Sequence, residues 1–149
     1  MMTSRFLRAL VWSAALPLLP LQAQAQDADS AAARAPLDTY IKAQATGDGD
    51  YIRKAFHPDA RIMWARDGKL TVLSTEEFAK RFNGKPAEDE GKRTRRIEQF
   101  EVTGTAAFGK IVLDYPTVTF TDYMQLLKVD GEWKIISKTF NVLPKAAPK

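Results

Sequence analysis

The stretch VTFTDYMQLLKVDGEWKIISKTFN, Val118 to Asn141, limits the possible folds of this chain more than any other. Two runs rich in β-branched and aromatic residues flank Asp130-Gly131, a pair that tolerates the positive φ angles of a two-residue hairpin turn. With that turn Val129 opposes Glu132, Leu126 opposes Ile135, Met124 opposes Ser137, Asp122 opposes Thr139 and Phe120 opposes Asn141. Opposed residues share a face. One face is then expected to carry Phe120, Asp122, Met124, Leu126, Trp133, Ile135, Ser137, Thr139 and Asn141. The other carries Thr121, Tyr123, Gln125, Leu127, Lys134, Ile136, Lys138 and Phe140. The first face suits a pocket with an apolar floor and a polar mouth of Asp122, Thr139 and Asn141. A bulge would exchange the faces beyond it.

The N-terminus reads as a leader. Arg5 and Arg8 precede an apolar run from Ala9 to Leu21, and Ala23-Gln24-Ala25 fits the small-x-small cleavage rule. Residues 1–25 are expected to be a signal peptide cut after Ala25, which places the protein in the periplasm or outside the cell without a stable membrane anchor. Of the 22 Lys and Arg, two lie in this leader; the remaining 20 face 18 Asp and Glu, a net charge of +2. So small and dispersed an excess argues against nucleic acid as a partner. With one His and no Cys, the chain has no disulfide and no thiolate chemistry, and a structural zinc site is excluded. No metal or cofactor is expected.

Residues 26–35 read as a flexible lead-in that could join the first helix. Pro36 suits a first helical turn, and Leu37, Tyr40, Ile41 and Gln44 recur at helical spacing before Gly47. Asp48 caps a second short helix, which His57-Pro58 stops. Arg61–Arg66 and Lys69–Leu73 form a hairpin about Asp67-Gly68. Ser74 and Glu77 make a capping box for a third helix reaching about Phe82. Arg95–Val102 pairs with Thr105–Tyr115 through Thr103-Gly104, so Phe100 opposes Ala107, with Arg96 and Glu98 on the same face. Small Ala107 and Gly109 leave room for a ligand or a helix. Helices gathered before long strands imply an α+β fold, in one domain over residues 36–143 with a disordered tail at 144–149.

Three stretches, TGDGDYIRKAFHPDARIMWARDGKL, RRIEQFEVTGTAAFGK and FTDYMQLLKVDGEWKIISKTF, resemble the "Putative lumazine-binding" family of the nuclear transport factor two-like superfamily. That superfamily includes SnoaL-like cyclases, scytalone dehydratase and ketosteroid isomerase. The resemblance implies a cone: helices closing a strongly curved antiparallel sheet around a pocket, with homodimers formed through the outer sheet face. Asn141 stands where comparable members end the last strand in histidine, which removes a possible base.

The candidate site residues follow from both readings. Asp122 in an apolar cone could serve as acid or base, or pair with Arg96 at the sheet edge. His57 could act at neutral pH, or bond the end of its helix. Tyr40 could turn its hydroxyl into the pocket. Trp64 could stack on a flat heterocycle; Arg96, Met124, Thr139 and Asn141 complete the candidate lining. The first expectation is a small-molecule binder, with a planar heterocycle as ligand. The alternatives are a cofactor-free lyase, isomerase or cyclase using Asp122 with His57 or Tyr40, and a dimeric interaction module. Whether the protein is an enzyme is left open by the residues.

Overall fold

The computed structural model describes the backbone of residues 20–146 and the side chains of residues 29–146. The elements run α1 (Pro20–Thr46), α2 (Gly49–Ala55), β1 (Phe56–Arg66), β2 (Lys69–Ser74), α3 (Thr75–Ala79), a 3-10 turn (Glu90–Lys92), β3 (Thr94–Thr103), β4 (Ala106–Asp114), β5 (Val118–Val129) and β6 (Glu132–Pro144). The expected order of two helices, a short hairpin, a helix and four strands is the order observed. The expected leader lies outside the described residues as far as residue 19, as do residues 147–149 of the tail.

Local chemistry sets most boundaries as expected. Asp48 accepts from the Asp50 amide at 2.9 Å to start α2. Ser74 and Glu77 form the reciprocal capping box of α3, which ends at Ala79, short of Phe82. The pairs Asp67-Gly68 and Asp130-Gly131 both take positive φ at both residues, as two-residue hairpins require. At the β3–β4 hairpin, Thr103 opposes Ala106, so the turn is Gly104-Thr105 rather than Thr103-Gly104. Phe100 therefore opposes Gly109 instead of Ala107.

Residues 26–35 are helical and continuous with α1. Asp29 anchors this part, accepting from Lys128 Nζ at 2.7 Å and Trp133 Nε1 at 3.4 Å, and Ala33 is fully buried. Pro36 consequently lies inside the helix, not in its first turn. Its missing N–H frees the carbonyl of Ala32, which is exposed and open to water.

The six strands form one curved sheet in the order β2-β1-β6-β5-β4-β3. Neighbours are antiparallel except β1 and β6, which run parallel, so the sheet is mixed. The helices cover its concave face. Buried Leu37, Tyr40, Ile52 and Phe56 meet Ile62, Ile111, Met124, Leu126 and Ile135 in one core. Leu37 takes the space above Gly109, where an added Cβ would stand 2.5 Å from Leu37 Cδ1. The gap opposite Gly109 thus admits a helix.

Two bulges revise the face assignments. In β6, Leu126 opposes Ile135 but Gln125 opposes Ser137, so Ile136 is an extra residue. Beyond it Lys138 and Phe140 turn inward, while Thr139 and Asn141 go to the outer face and are exposed. In β3, Ile97 opposes Ile111 and Gln99 opposes Lys110, which leaves Glu98 extra. That moves Arg96 outward and Arg95 inward.

Candidate functional site

The inner face holds three buried polar groups in mutual contact. Tyr40 comes from α1, Asp122 from β5 and Lys138 from β6. The Tyr40 hydroxyl donates to Asp122 Oδ2 at 2.6 Å. Lys138 Nζ donates to that hydroxyl at 2.8 Å and lies 3.0 Å from Asp122 Oδ1. Gln44, one turn beyond Tyr40, also donates to its hydroxyl, at 3.1 Å. The Asp122 side chain is 0 % and that of Lys138 4 % exposed.

The hydrogen-bond capacities matter. The Tyr40 oxygen donates once and accepts twice, so it is saturated. Lys138 has three N–H groups, of which Tyr40 takes one. Asp122 Oδ1 is at ion-pair distance from Lys138 but at an angle unsuited to a hydrogen bond, so it has no hydrogen-bond partner among the described residues. A buried carboxylate oxygen without a donor is a strong acceptor.

The surroundings are apolar and aromatic. Lys138 Nζ lies 4.5 Å from the ring centre of Phe140, 5.0 Å from Tyr40 and 5.1 Å from Phe78. Burial pushes the Tyr40 phenol well above its usual range, with the Asp122 charge acting in the same direction. The phenol therefore holds its proton at neutral pH. Burial lowers the Lys138 ammonium from its ordinary value, against the opposing pull of Asp122.

A second polar cluster adjoins the first through Gln44. Arg95 donates to both carboxylate oxygens of Glu90 at 2.6 and 2.8 Å, to the Gln44 carbonyl at 3.0 Å and to the Tyr115 hydroxyl at 3.3 Å. Tyr115 in turn donates to Gln44 Oε1 at 3.3 Å. Half-buried Phe120, Phe140 and Trp64 continue the aromatic lining, with Trp64 and Phe140 ring centres 5.1 Å apart.

Of the candidates from sequence, Tyr40 and Asp122 meet directly, Met124 is core beside them, and Trp64 lies on the same concave side. Thr139, Asn141 and Arg96 do not join them, because the two bulges turn them outward. Arg96 instead pairs with Glu98 on the outer surface, and Lys138 is the partner of Asp122. His57 is also apart. Its Nδ1 accepts from the Asp59 amide at 3.2 Å and its carbonyl from Thr75 Oγ1 at 2.7 Å, contacts that fix the start of β1 against α3. Lys138, Gln44 and Arg95 were not singled out as site residues. The one signal for Lys138 is the possibility of a bulge in β6, and nothing in its neighbours specifies that bulge.

Comparison with known proteins agrees with this fold. A family model described as "Putative lumazine-binding" matches residues 28–141. The curated protein Aldolase FrzH from Cladobotryum sp is 28 % identical over 109 residues, covering 71 % of this chain and 85 % of its own. An NTF2-like protein of unknown function from Shewanella baltica OS155 superposes with a TM-score of 0.70 at 27 % identity, over 81 % of this chain and 97 % of that one. Another, from Methylobacillus flagellatus KT, gives 0.64 at 27 % identity, over 79 % and 93 %.

Proposed function

Given a chain that belongs to the "Putative lumazine-binding" family of NTF2-like proteins, we propose that it is a cofactor-free lyase or isomerase acting on a small carbonyl compound. The observation that carries this reading is the buried, mutually contacting Tyr40–Asp122–Lys138 group, in which Asp122 Oδ1 is ion-paired with Lys138 but accepts no hydrogen bond among the described residues. The 28 % identity to a protein named as an aldolase supports the reaction class.

In an aldol cleavage Asp122 Oδ1 takes the proton of the β-hydroxyl. The carbon–carbon bond breaks, the hydroxyl-bearing carbon becomes a carbonyl, and the electron pair moves onto the oxygen of the original carbonyl as an enolate. A free N–H of Lys138 stabilises that oxygen in a site from which water is excluded, while the Tyr40 hydroxyl holds Asp122 in place through Oδ2. Asp122 then returns its proton to the enolate carbon. The same groups interconvert isomers by moving one proton α to a carbonyl. Substrate reaches them by displacing half-buried side chains around them, Gln44, Phe78 and Phe140 among them.

A panel of β-hydroxy ketones and β-hydroxy acids, followed by NMR in deuterated water, tests this reading. Cleavage or α-deuteration by the native protein is expected to fall about a hundredfold or more in Asp122→Asn, the scale of a lost general base. A rate indifferent to that substitution would sink the assignment.

A second reading is favoured by the aromatic lining. Trp64, Phe120 and Phe140 suit a planar heterocycle held without turnover, and the family description names such a ligand class. A thermal-shift screen of pterins and flavins decides it; no rise in melting temperature with any of them counts against it. The leader pattern makes export to the periplasm or medium part of the proposal, checked by cell fractionation and N-terminal sequencing of the mature protein. A homodimer through the outer sheet face is proposed on the exposed Tyr123 and Leu127.

A further inference from the structure

Beside the triad lies a cleft of about 220 Å³, lined by Gln44, Arg81, Phe82, Asn83, Lys85 and Arg93 among others, and by no Asp or Glu among the described residues. Two of its three cations are guanidinium groups laid on aromatic faces. Arg81 lies 5.4 Å from the ring centre of Trp64, and Arg93 lies 4.3 Å from that of Tyr115. Such stacking orients the planar fork of donors that suits a carboxylate. Arg93 is also tied to Asp89 at 2.7 Å, whereas Arg81 and Lys85 enter no ion pair among the described residues.

The cleft is built rather than incidental. Gly84 N–H donates to the Gly47 carbonyl at 2.7 Å, and Lys85 N–H to Asn83 Oδ1 at 3.0 Å. Gly47 has φ +69°, and a Cβ there would stand 1.9 Å from the Lys85 carbonyl oxygen, so only glycine lets the loop sit this close. The loop bearing Lys85 is thus held against the end of α1 before any ligand arrives, which lowers the ordering cost of binding. Gln44 belongs to both places: it lines the cleft and donates to the Tyr40 hydroxyl. Gln44 thus links the cleft to the triad.

We propose that this cleft receives the carboxylate of the substrate, so that the protein acts on a small carbonyl acid whose carbonyl reaches Tyr40, Asp122 and Lys138 past Gln44. The carbonyl end rests on the reading above; the anion end stands on the cleft itself. A volume of about 220 Å³ falls below the roughly 300 Å³ at which pockets for drug-sized ligands begin, so the cleft suits an acid group and a short stem rather than a ring system.

Calorimetric titration of the intact protein tests the inference with three probes: pyruvate, inorganic phosphate and the neutral diketone 2,3-butanedione. Pyruvate is expected to bind more tightly than the diketone, and more weakly as salt is raised. The Arg81→Gln/Lys85→Gln variant is expected to weaken pyruvate about tenfold or more, since bonds to charged groups are lost, with its melting temperature retained because both side chains are exposed. Pyruvate binding that is indifferent to the double substitution, or matched by the neutral diketone, overturns the proposal. Binding of phosphate without pyruvate overturns it as well. Tyr40→Phe separates the two readings: carboxylate binding survives it while turnover falls. Turnover that is equally fast without Arg81 and Lys85 refutes the anion site alone.

Discussion

Asp122 and Lys138 occupy positions where a charge is costly, and each is tolerable because of the other. Burying one ion without its partner leaves an uncompensated charge, a loss of about 3–5 kcal/mol. Replacing both by apolar groups of similar volume removes both desolvation costs. Asp122→Leu and Lys138→Met are therefore expected each to destabilise by about that amount, while Asp122→Leu/Lys138→Met costs well under the sum. Urea denaturation of the four proteins reads the coupling; additive losses would show that the two residues are independent. Tyr40 belongs to the same unit. Without its hydroxyl, Lys138, Gln44 and Asp122 each lose a hydrogen-bond partner. Asp122 and Tyr40 were visible in the sequence from alternation and helical spacing. Lys138 was assigned outward by a register that takes no account of Ile136.

At the scale of elements, α1 lies on the sheet because of one missing side chain. A Cβ on Gly109 would meet Leu37 Cδ1 at 2.5 Å and Cδ2 at 3.2 Å. Gly109→Val is expected to destabilise by about 1–3 kcal/mol through overpacking, and Leu37→Ala in the same chain to recover part of that loss. Chemical denaturation checks both. The α2–α3 pair depends on charge. Arg53 donates to Glu76 Oε2 at 2.8 Å and Oε1 at 3.0 Å, and to Asp50 at 2.8 Å. The hydrogen bonds from Arg53 hold the Glu76 carboxyl below its ordinary value of 4.5. A carboxyl that is depressed in the folded state contributes its stability above the unfolded value and loses it as pH falls through the folded one. Melting temperature should therefore fall on acidification below about pH 4.5. Glu76→Gln should melt lower than the native protein at neutral pH and approach it in acid. Parallel curves at every pH would remove Glu76 from the account.

Across the whole molecule the two faces of the sheet have separate tasks. The concave face is closed by helices; the outer face exposes Tyr123 at 43 %, Leu127 at 37 % and Leu143 at 62 %, and Tyr123 stacks with Phe108. The proposed homodimer would cover this side. Tyr123→Arg/Leu127→Arg should shift sedimentation from dimer to monomer without lowering helix content, and a native protein that is monomeric at high concentration would end the proposal. Phe140, expected on this outer face, is instead an inner residue. The α+β class, the order of the elements, the caps and the two Asp-Gly turns were determined by the sequence alone. Each depends on residues within a few positions of one another, where spacing and turn chemistry act directly. The membership of the candidate site was decided only by the tertiary structure. A bulge forms where curvature and the packing of neighbouring strands demand an extra residue, and those demands come from distant parts of the chain. Ile136 and Glu98 carry no local mark of that role, yet each shifts every side chain beyond it, counted from the hairpin turn, by one position. The same curvature that bends the sheet around α1 thus brings in Lys138 and Arg95, and sends Thr139, Asn141 and Arg96 to the other side.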